Sequence, residues 1–412
     1  MAEPRRIETT CCIVGGGPAG MVCGLILARA GVKVVVLEKH GDFLRDFRGD
    51  TVHPSTLDVI DELGLMPDFL MRPHTRVTEL TGVIGGEPIR IADFTHVSAR
   101  NKFLALMPQW HFLDMFADAG AKLSTFDLHM NAKGADLAIE NGVVRGVRAT
   151  TPEGPLDIRA DLVIAADGRI SDMRAQSGLG VRDLGAPMDV LWMRIDKDVG
   201  HPEATAGYFD AGRIVVLLDR GDYWQAAYVI PKGADATLRA RGIEALRADI
   251  AAIAPFLAGA LQKLASLDDV KLLTVTVDRM ERWWRPGLLC IGDCAHAMSP
   301  IGGVGINLAV QDAVAAANIL AEPLRTGRLQ DRHLQAVERR RLFPTRVVQA
   351  MQVTAQRRVI APVLSARGRT RPPGLVRLLN RWRVLQRLPA QFIGVGVRPE
   401  HVRAPAAKGI SK

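Results

Sequence analysis

The run Gly15-Gly16-Gly17-Pro18-Ala19-Gly20 constrains this chain more than any other stretch. It satisfies G-x-G-x-x-G, and its flanks make that pattern informative. Before it, Thr9 to Val14 (TTCCIV) is small, β-branched and apolar, the composition of a strand buried on both faces of a parallel sheet. After it, MVCGLILARAG reads as a helix, and a second apolar run, Val32 to Leu37, ends on Glu38. Strand, glycine turn, helix and strand, with an acid about 20 residues beyond the glycines, make a complete β-α-β unit for a dinucleotide. Gly15 allows the tight turn, Gly17 lets the backbone approach a pyrophosphate, and Gly20 lets helix and strand pack closely. Pro18 and Ala19 open the helix, whose free N–H groups meet the phosphates. Glu38, with Lys39 beside it, is placed to accept hydrogen bonds from a ribose. The motif does not distinguish FAD from NAD(P), but a second G-x-G-x-x-G is absent, so the sequence provides for one resident dinucleotide.

Two further apolar runs end in an acid and a glycine. Leu162 to Ala166 leads into Asp167-Gly168, after a hairpin-like segment from Val143 to Arg159. This is either an ordinary strand-end turn or an acid at the carboxyl edge of a parallel sheet, where ligands bind. Leu288 to Ile291 leads into Gly292-Asp293, and MSPIGGVGI then enters a helix from Asn307. Pro300, Gly302, Gly303 and Gly305 allow the backbone close to a flat ligand. The helix start at Gly305-Ile306-Asn307 directs its positive end to the same place, where it stabilises a carbonyl gaining negative charge. Cys290, Cys294 and His296 sit close by, as metal ligands do. Their C-x3-C-x-H spacing has neither a C-x2-C knuckle nor a second ligand pair, so no metal is expected. Cys294 reads as a small packing residue and His296 as a polar residue near the cofactor or in a satisfied turn.

The composition, 412 residues with 48% apolar and 24% charged, is that of a globular protein with a large core. Five cysteines in apolar surroundings argue for a reducing cytoplasm over a disulfide framework. No uninterrupted apolar run reaches the roughly 18–20 residues of a membrane span. The charge of +9 has no zinc finger, RNP-type pattern or helix-turn-helix to go with it, so a basic surface is expected and no nucleic acid.

With its three turns in this order, the chain resembles the group A FAD-dependent aromatic hydroxylases, the family of p-hydroxybenzoate hydroxylase and the ubiquinone-pathway hydroxylases, over about residues 8–365. The resemblance implies an α/β fold: a Rossmann-like FAD-binding domain with an inserted mainly-β substrate domain and a helical C-terminal region. Residues 1–71, 105–183 and 281–365 would form the first, 72–104 and 184–280 the second, and 366–412 a basic helical C-terminal segment. By position, Gly15, Gly17, Pro18, Ala19 and Gly20 would hold the FAD pyrophosphate, and Glu38 and Lys39 the adenosine side. Asp293 would bind the ribityl–phosphate region, and Pro300, Gly302, Gly303, Gly305, Ile306 and Asn307 would face the isoalloxazine. Asp167-Gly168 is similar to the family's turn for FAD and NAD(P)H, Arg48 matches its arginine near the phosphates, and Gln109 its glutamine before a helix.

The implied reaction consumes NADPH or NADH and O2 and hydroxylates a small aromatic or heteroaromatic substrate through a flavin C4a-hydroperoxide. No side chain is singled out as catalytic. Trp192, Tyr208, Leu217, Tyr223, Gln225 and Ala227 are the pocket candidates, although one sequence does not fix which strand face is inward. A flavin dehydrogenase or reductase without oxygen insertion, and a non-catalytic FAD-binding sensor, stay open as alternatives. Leu375 to Leu388 reads as one amphipathic helix with Leu375, Leu378, Leu379, Trp382 and Leu385 on one face and arginines opposite. Packing on the protein's own surface is the expected fate of that face, and membrane contact the alternative. A monomer or homodimer in the cytoplasm is expected.

Overall fold

The computed structural model describes residues 4–44, 51–202, 205–407 and 409. Five strands lie side by side and parallel, in the order Leu288–Cys290, Gly154–Ala165, Arg5–Val14, Val34–Leu37, Phe126–His129. The chain starts in the middle, winds to one edge, then returns to continue on the other side of Arg5–Val14. The order therefore reverses between Arg5–Val14 and Gly154–Ala165, where an open α/β sheet has its ligand crevice. The first strand is apolar without alternation because both faces are covered. Cys11 and Ile13 pack on helices Pro18–Arg29, Gln109–Ala121 and Gly305–Arg325. Cys12 and Val14 pack on Leu137, Val144 and Val147 of the hairpin Lys133–Glu140 and Val143–Thr151. The Gly305–Arg325 helix is long and apolar enough to cross a membrane, yet Val310, Ala313, Val314, Ala317 and Leu320 bury it in this core.

A second sheet runs in the order Lys271–Leu273, Met188–Asp196, Tyr223–Pro231, Arg213–Asp219, Ala206–Asp210, Glu79–Ile84, Glu87–Asp93. Glu79–Ile84 pairs in parallel with Ala206–Asp210, so the two excursions from the first region join one sheet. Leu191, Met193, Leu217, Trp224 and Ala226 on one face pack on helices Gly242–Ile253 and Ala258–Leu261. The opposite face, with Val190, Ile214, Ala227 and Val229, shares a cluster with Ile301 of the glycine loop and with Ile360 and Val363. The long Asp331–Ala355 helix continues through a π-helical turn, Gln356–Ile360, into Ala361–Ser365.

The single amphipathic helix expected over Leu375 to Leu388 is divided. Gly374–Arg381 stops at Trp382 (φ −118°, ψ 96°), a 3-10 turn Arg383–Gln386 follows, and Arg387–Gly394 completes the segment. Its expected buried face is also different. Leu379 and Leu385 are half-buried, whereas Leu378 and Trp382 are exposed. The side chain of Leu375 lies outside the described residues.

Candidate flavin and substrate site

The strand register brings the three turns together. Val14 stands opposite Ala165, and Ala165 opposite Cys290. Ala166 N–H donates to the Val14 carbonyl (2.8 Å) and Ile291 N–H to the Ala165 carbonyl (3.0 Å), so pairing persists to the last residue of each strand. The glycine turn, Asp167-Gly168 and Gly292-Asp293 therefore leave the sheet side by side, at the crevice.

The glycines divide by what surrounds them. Gly15 has φ +111°, and a Cβ on it would lie 2.3 Å from the Ala166 carbonyl oxygen. A Cβ on Gly20 would lie 1.9 Å from the Gly15 carbonyl oxygen. Both are needed for turn, helix and strand to fit. At Gly17, where φ is −76° and ψ −178°, a Cβ would meet nothing within 4 Å among the described residues. The open space there, at the N-terminus of a twelve-residue helix, is what a pyrophosphate requires. The turns are also packed on one another, since a Cβ on Gly292 would stand 3.0 Å from that of Ala19. Pro18 occupies the first helical turn.

Glu38 is anchored at the glycine turn. Its Oε2 accepts from Gly16 N–H (3.0 Å), while Oε1 accepts from His40 N–H (3.1 Å) and meets His40 Nδ1 at 2.6 Å. Lys39 points to solvent. Asp167 turns inward. Its Oδ1 accepts from Ser171 Oγ (2.5 Å) and its Oδ2 from Met173 N–H (3.2 Å), fixing the start of the Asp172–Gln176 helix. Burial raises its pKa, and the Ser171 and Met173 hydrogen bonds pull the other way. The open element of this turn is Gly168, at φ +88° with nothing within 4 Å of a Cβ among the described residues. Asp293 faces the next residue along, Arg169, with Nε to Oδ2 at 3.6 Å. Arg169, half-buried between the second and third turns, was not distinguished by the sequence.

The glycine loop is held by a segment remote in sequence. His53 Nε2 lies 3.0 Å from the Gly303 carbonyl. Burial lowers the His53 pKa to about 4, so at neutral pH the ring is uncharged and Nε2 carries the proton it donates. Ser55 Oγ and Thr56 Oγ1 both donate to Asn307 Oδ1, each at 2.8 Å, so this side chain serves as the anchor of the loop. Gly302 and Gly303 have φ of +76° and +62°, and a Cβ on Gly303 would meet Thr51 Oγ1 at 2.9 Å. Gly305 opens on free space among the described residues. Pro300 and Ile306 flank this stretch and are half-buried. Gln109 begins its helix just after Leu104–Leu106, whose Leu106 pairs with Thr51, and is thereby brought near the loop. Arg48 lies outside the described residues. Thr51, His53, Ser55 and Thr56 had one local signal, a His-Pro at a helix start, but nothing local to tie them to residues some 250 positions away.

Cys290, Cys294 and His296 are all buried. His296 Nε2 pairs with Asp312 Oδ2 at 2.5 Å, and its ring lies 4.9 Å from that of Trp283. Burial pushes the Cys294 thiol well above its ordinary range, keeping it protonated. Cys294 Sγ donates to Ser171 Oγ at 3.3 Å. Cys294→Ser is therefore expected to leave flavin content near the wild-type value, whereas Asp293→Ala lowers it several-fold. Absorbance of the purified variants checks this, and the reverse outcome contradicts the arrangement.

The six pocket candidates fall on two faces. Trp192 pairs with Ala227, Ala227 with Val216, Val216 with Gly207, and Gly207 with Gly82, a row across five strands on the side facing the glycine loop. Tyr223 and Gln225 share that side. Gln225 Oε1 is engaged by Arg220 Nη2 at 2.6 Å, and Tyr223 lies under Arg194, 3.9 Å from its guanidinium carbon. Tyr208 and Leu217 belong to the other face. Tyr208 packs on Phe256, centroids 5.8 Å apart, and Leu217 is buried with Leu246 and Ile250. Their neighbours Phe209 and Val216 take the inward positions instead, because successive residues of a strand point to opposite faces.

Comparison with known proteins supplies the identity. Residues 8–351 match the FAD binding domain family. The chain is 34% identical over 358 residues to 6-methylpretetramide 4-monooxygenase of Streptomyces rimosus, covering 86% of this chain and 85% of that one. The chain belongs to this family of FAD-dependent aromatic monooxygenases. The monooxygenase is also 25% identical to para-nitrophenol 4-monooxygenase of Pseudomonas sp. (strain WBC-3), over 80% of this chain and 82% of the relative. Its fold is that of p-nitrophenol 4-monooxygenase from Pseudomonas putida DLL-E4, with a TM-score of 0.75 at 22% identity, covering 94% and 97% of the two chains.

Proposed function

We propose that this monooxygenase hydroxylates a polycyclic phenolic substrate, with NADPH or NADH as reductant and O2 as oxygen source. The observation that carries the size of the substrate is the inward row Trp192, Ala227, Val216, Gly207 and Gly82. Ala227 and Val216 leave depth in the middle of the row, between the Trp192 ring at one end and the Phe209 ring, which lies over Gly207, at the other. Trp192 also carries a chemical signal. Its indole Nε1–H is buried without an acceptor among the described residues, which is costly unless a ligand oxygen takes it up. Two relatives support the class, one acting by name on 6-methylpretetramide and another on 12-dehydrotetracycline and anhydrotetracycline, while the more distant para-nitrophenol 4-monooxygenase acts by name on a mononuclear phenol.

When bound, FAD supplies the electron store and the oxygen-activating ring. The chain's own residues would hold and shield it. The N–H groups of Gly17 and Ala19, on either side of Pro18, would meet the pyrophosphate, and Glu38 the adenosine ribose once its bond to Gly16 yields. Asp293 and Arg169 would flank the ribityl side. Backbone N–H groups along Gly302 to Gly305, with the helix start behind them, would stabilise negative charge on the ring carbonyls. Neutral His53 keeps that loop in place without adding a charge beneath it. The apolar sheet face would exclude water, and Trp192 Nε1–H would donate to a phenolic or keto oxygen to orient the ring.

Ala227→Phe fills the middle of the row and is expected to raise KM for a polycyclic phenol at least about tenfold, with flavin content unchanged. Steady-state NAD(P)H consumption against mononuclear and polycyclic phenols tests the reading. Stimulation by polycyclic phenols that Ala227→Phe abolishes supports it. Stimulation by mononuclear phenols alone refutes the size assignment.

A further inference from the structure

We propose that the outer face of residues 374–388 is a docking surface for an anionic phospholipid bilayer. The segment is amphipathic in the wrong sense for packing on its own protein. Gly374–Arg381, Arg383–Gln386 and Arg387–Gly394 all lie on Glu87–Asp93, the edge strand of the second sheet. Ala390 and Ile393 anchor Arg387–Gly394 in an apolar cluster with Ala92 and Phe94, whereas polar side chains add the other contacts. Asn380 accepts from Arg90 N–H (3.1 Å) and donates to the Pro88 carbonyl (3.2 Å). Gln391 donates to Ser98 Oγ (2.7 Å), and buried Gln386 ties the segment to itself by donating to the Leu379 carbonyl (3.1 Å). Large apolar side chains look outward, with Leu378 45% exposed, Trp382 57%, Val384 59% and Leu388 69%. An exposed apolar cluster of this kind marks an interaction surface.

Charge identifies the partner. Arg377, Arg381 and Arg387 are exposed among these apolar residues. Between Glu338 and Glu400 the chain has no acidic residue, and every basic one is an arginine. Guanidinium groups bind phosphate in a fork, and tryptophan favours the headgroup boundary of a bilayer. Leucine, valine and tryptophan on a basic helix sink roughly 5–10 Å into that boundary. A second copy of the chain would set arginines against arginines. Nucleic acid would satisfy the arginines and leave Leu378, Trp382 and Leu388 in water. An anionic bilayer satisfies both sets, and its contact lies at the edge of the sheet whose inner face is the substrate wall.

Full-length protein is sedimented with vesicles of phosphatidylcholine alone and of phosphatidylcholine mixed with phosphatidylglycerol. Binding to the mixed vesicles only is expected. The triple variant Arg377→Glu, Arg381→Glu, Arg387→Glu should lower the partition coefficient roughly a hundredfold or more, at about a fivefold loss per arginine near the surface. The triple variant Leu378→Ser, Trp382→Ser, Leu388→Ser should lower it at every salt concentration, with single Leu388→Ser giving a smaller loss in the same direction. Circular dichroism equal to wild type shows that both folds are intact. Three results each overturn the proposal: no vesicle binding by the wild type, equal binding by the variants, or self-association of the wild type that the serine variant abolishes.

Discussion

Replacing Arg341 by methionine lowers the free energy of unfolding by about 3–5 kcal/mol, because it strands buried carboxylates. Arg341 is 1% exposed. Its Nε donates to Asp312 Oδ1 (2.9 Å), and its Nη1 reaches the Arg398 carbonyl (3.3 Å) and Glu400 Oε1 (3.5 Å). Asp312 in turn accepts from Gly292 N–H (3.1 Å) and pairs with His296, so the network ends at the turn that carries Asp293. Burial alone would raise the Asp312 pKa, but His296 and Arg341 outweigh it and hold the carboxyl below its ordinary value. A depressed folded-state pKa contributes stability above the unfolded value, near 4, that is lost as pH falls through the folded value. Removing Arg341 takes away part of that depression, so acid unfolding should also begin at higher pH. Urea unfolding followed by circular dichroism measures the first effect and an acid titration the second. A loss below about 1 kcal/mol, the size of an ordinary surface change, would show that the network is not integral to the fold.

Gly20→Ala and Gly17→Val are expected to fail in opposite ways. The alanine Cβ at position 20 would lie 1.9 Å from the Gly15 carbonyl oxygen, which is backbone and has to move. A loss of about 1–3 kcal/mol or more is expected, whether or not flavin is present. A Cβ at position 17 meets nothing within 4 Å among the described residues, and a side chain there needs no unusual backbone angle. Stability without flavin should then change by less than about 0.5 kcal/mol. The valine side chain would fill the open space proposed for the pyrophosphate, and losing one hydrogen bond to a charged group, at about 1.5–3 kcal/mol, should weaken FAD binding by roughly 10- to 100-fold. Thermal melts of the flavin-free proteins and FAD titration of both variants separate the two effects. FAD affinity in Gly17→Val equal to wild type would mean that the open space at Gly17 has no binding role.

The three turns were legible in the sequence because each is a local event, an apolar run ending in glycine and acid. Parallel order then brings such ends to one edge without further information. Their supports were hidden because each pairs residues far apart, as His53 does with Gly303, Ser55 with Asn307 and Arg341 with Asp312. Asp167 showed the limit of reading a charge. Its carboxylate caps a short helix, while Gly168 keeps the open position. The pocket register was out of reach for another reason. Strands such as VLWMRID and YWQAAYVIP are covered on both faces, so polarity does not alternate, and Tyr208 and Leu217 could not be told from Phe209 and Val216. In the tail, arginine and leucine periodicity suggested a single helix, and the break at Trp382 has no glycine or proline to announce it.

The most direct test of the account is product analysis under isotopically labelled dioxygen, with NADPH or NADH and a polycyclic phenol that accelerates their consumption. The account predicts a hydroxylated product whose new oxygen comes from the gas and not from water, and its loss in Gly17→Val. An oxidised product without the label, or flavin that NADPH and NADH do not bleach with any such phenol present, would contradict it.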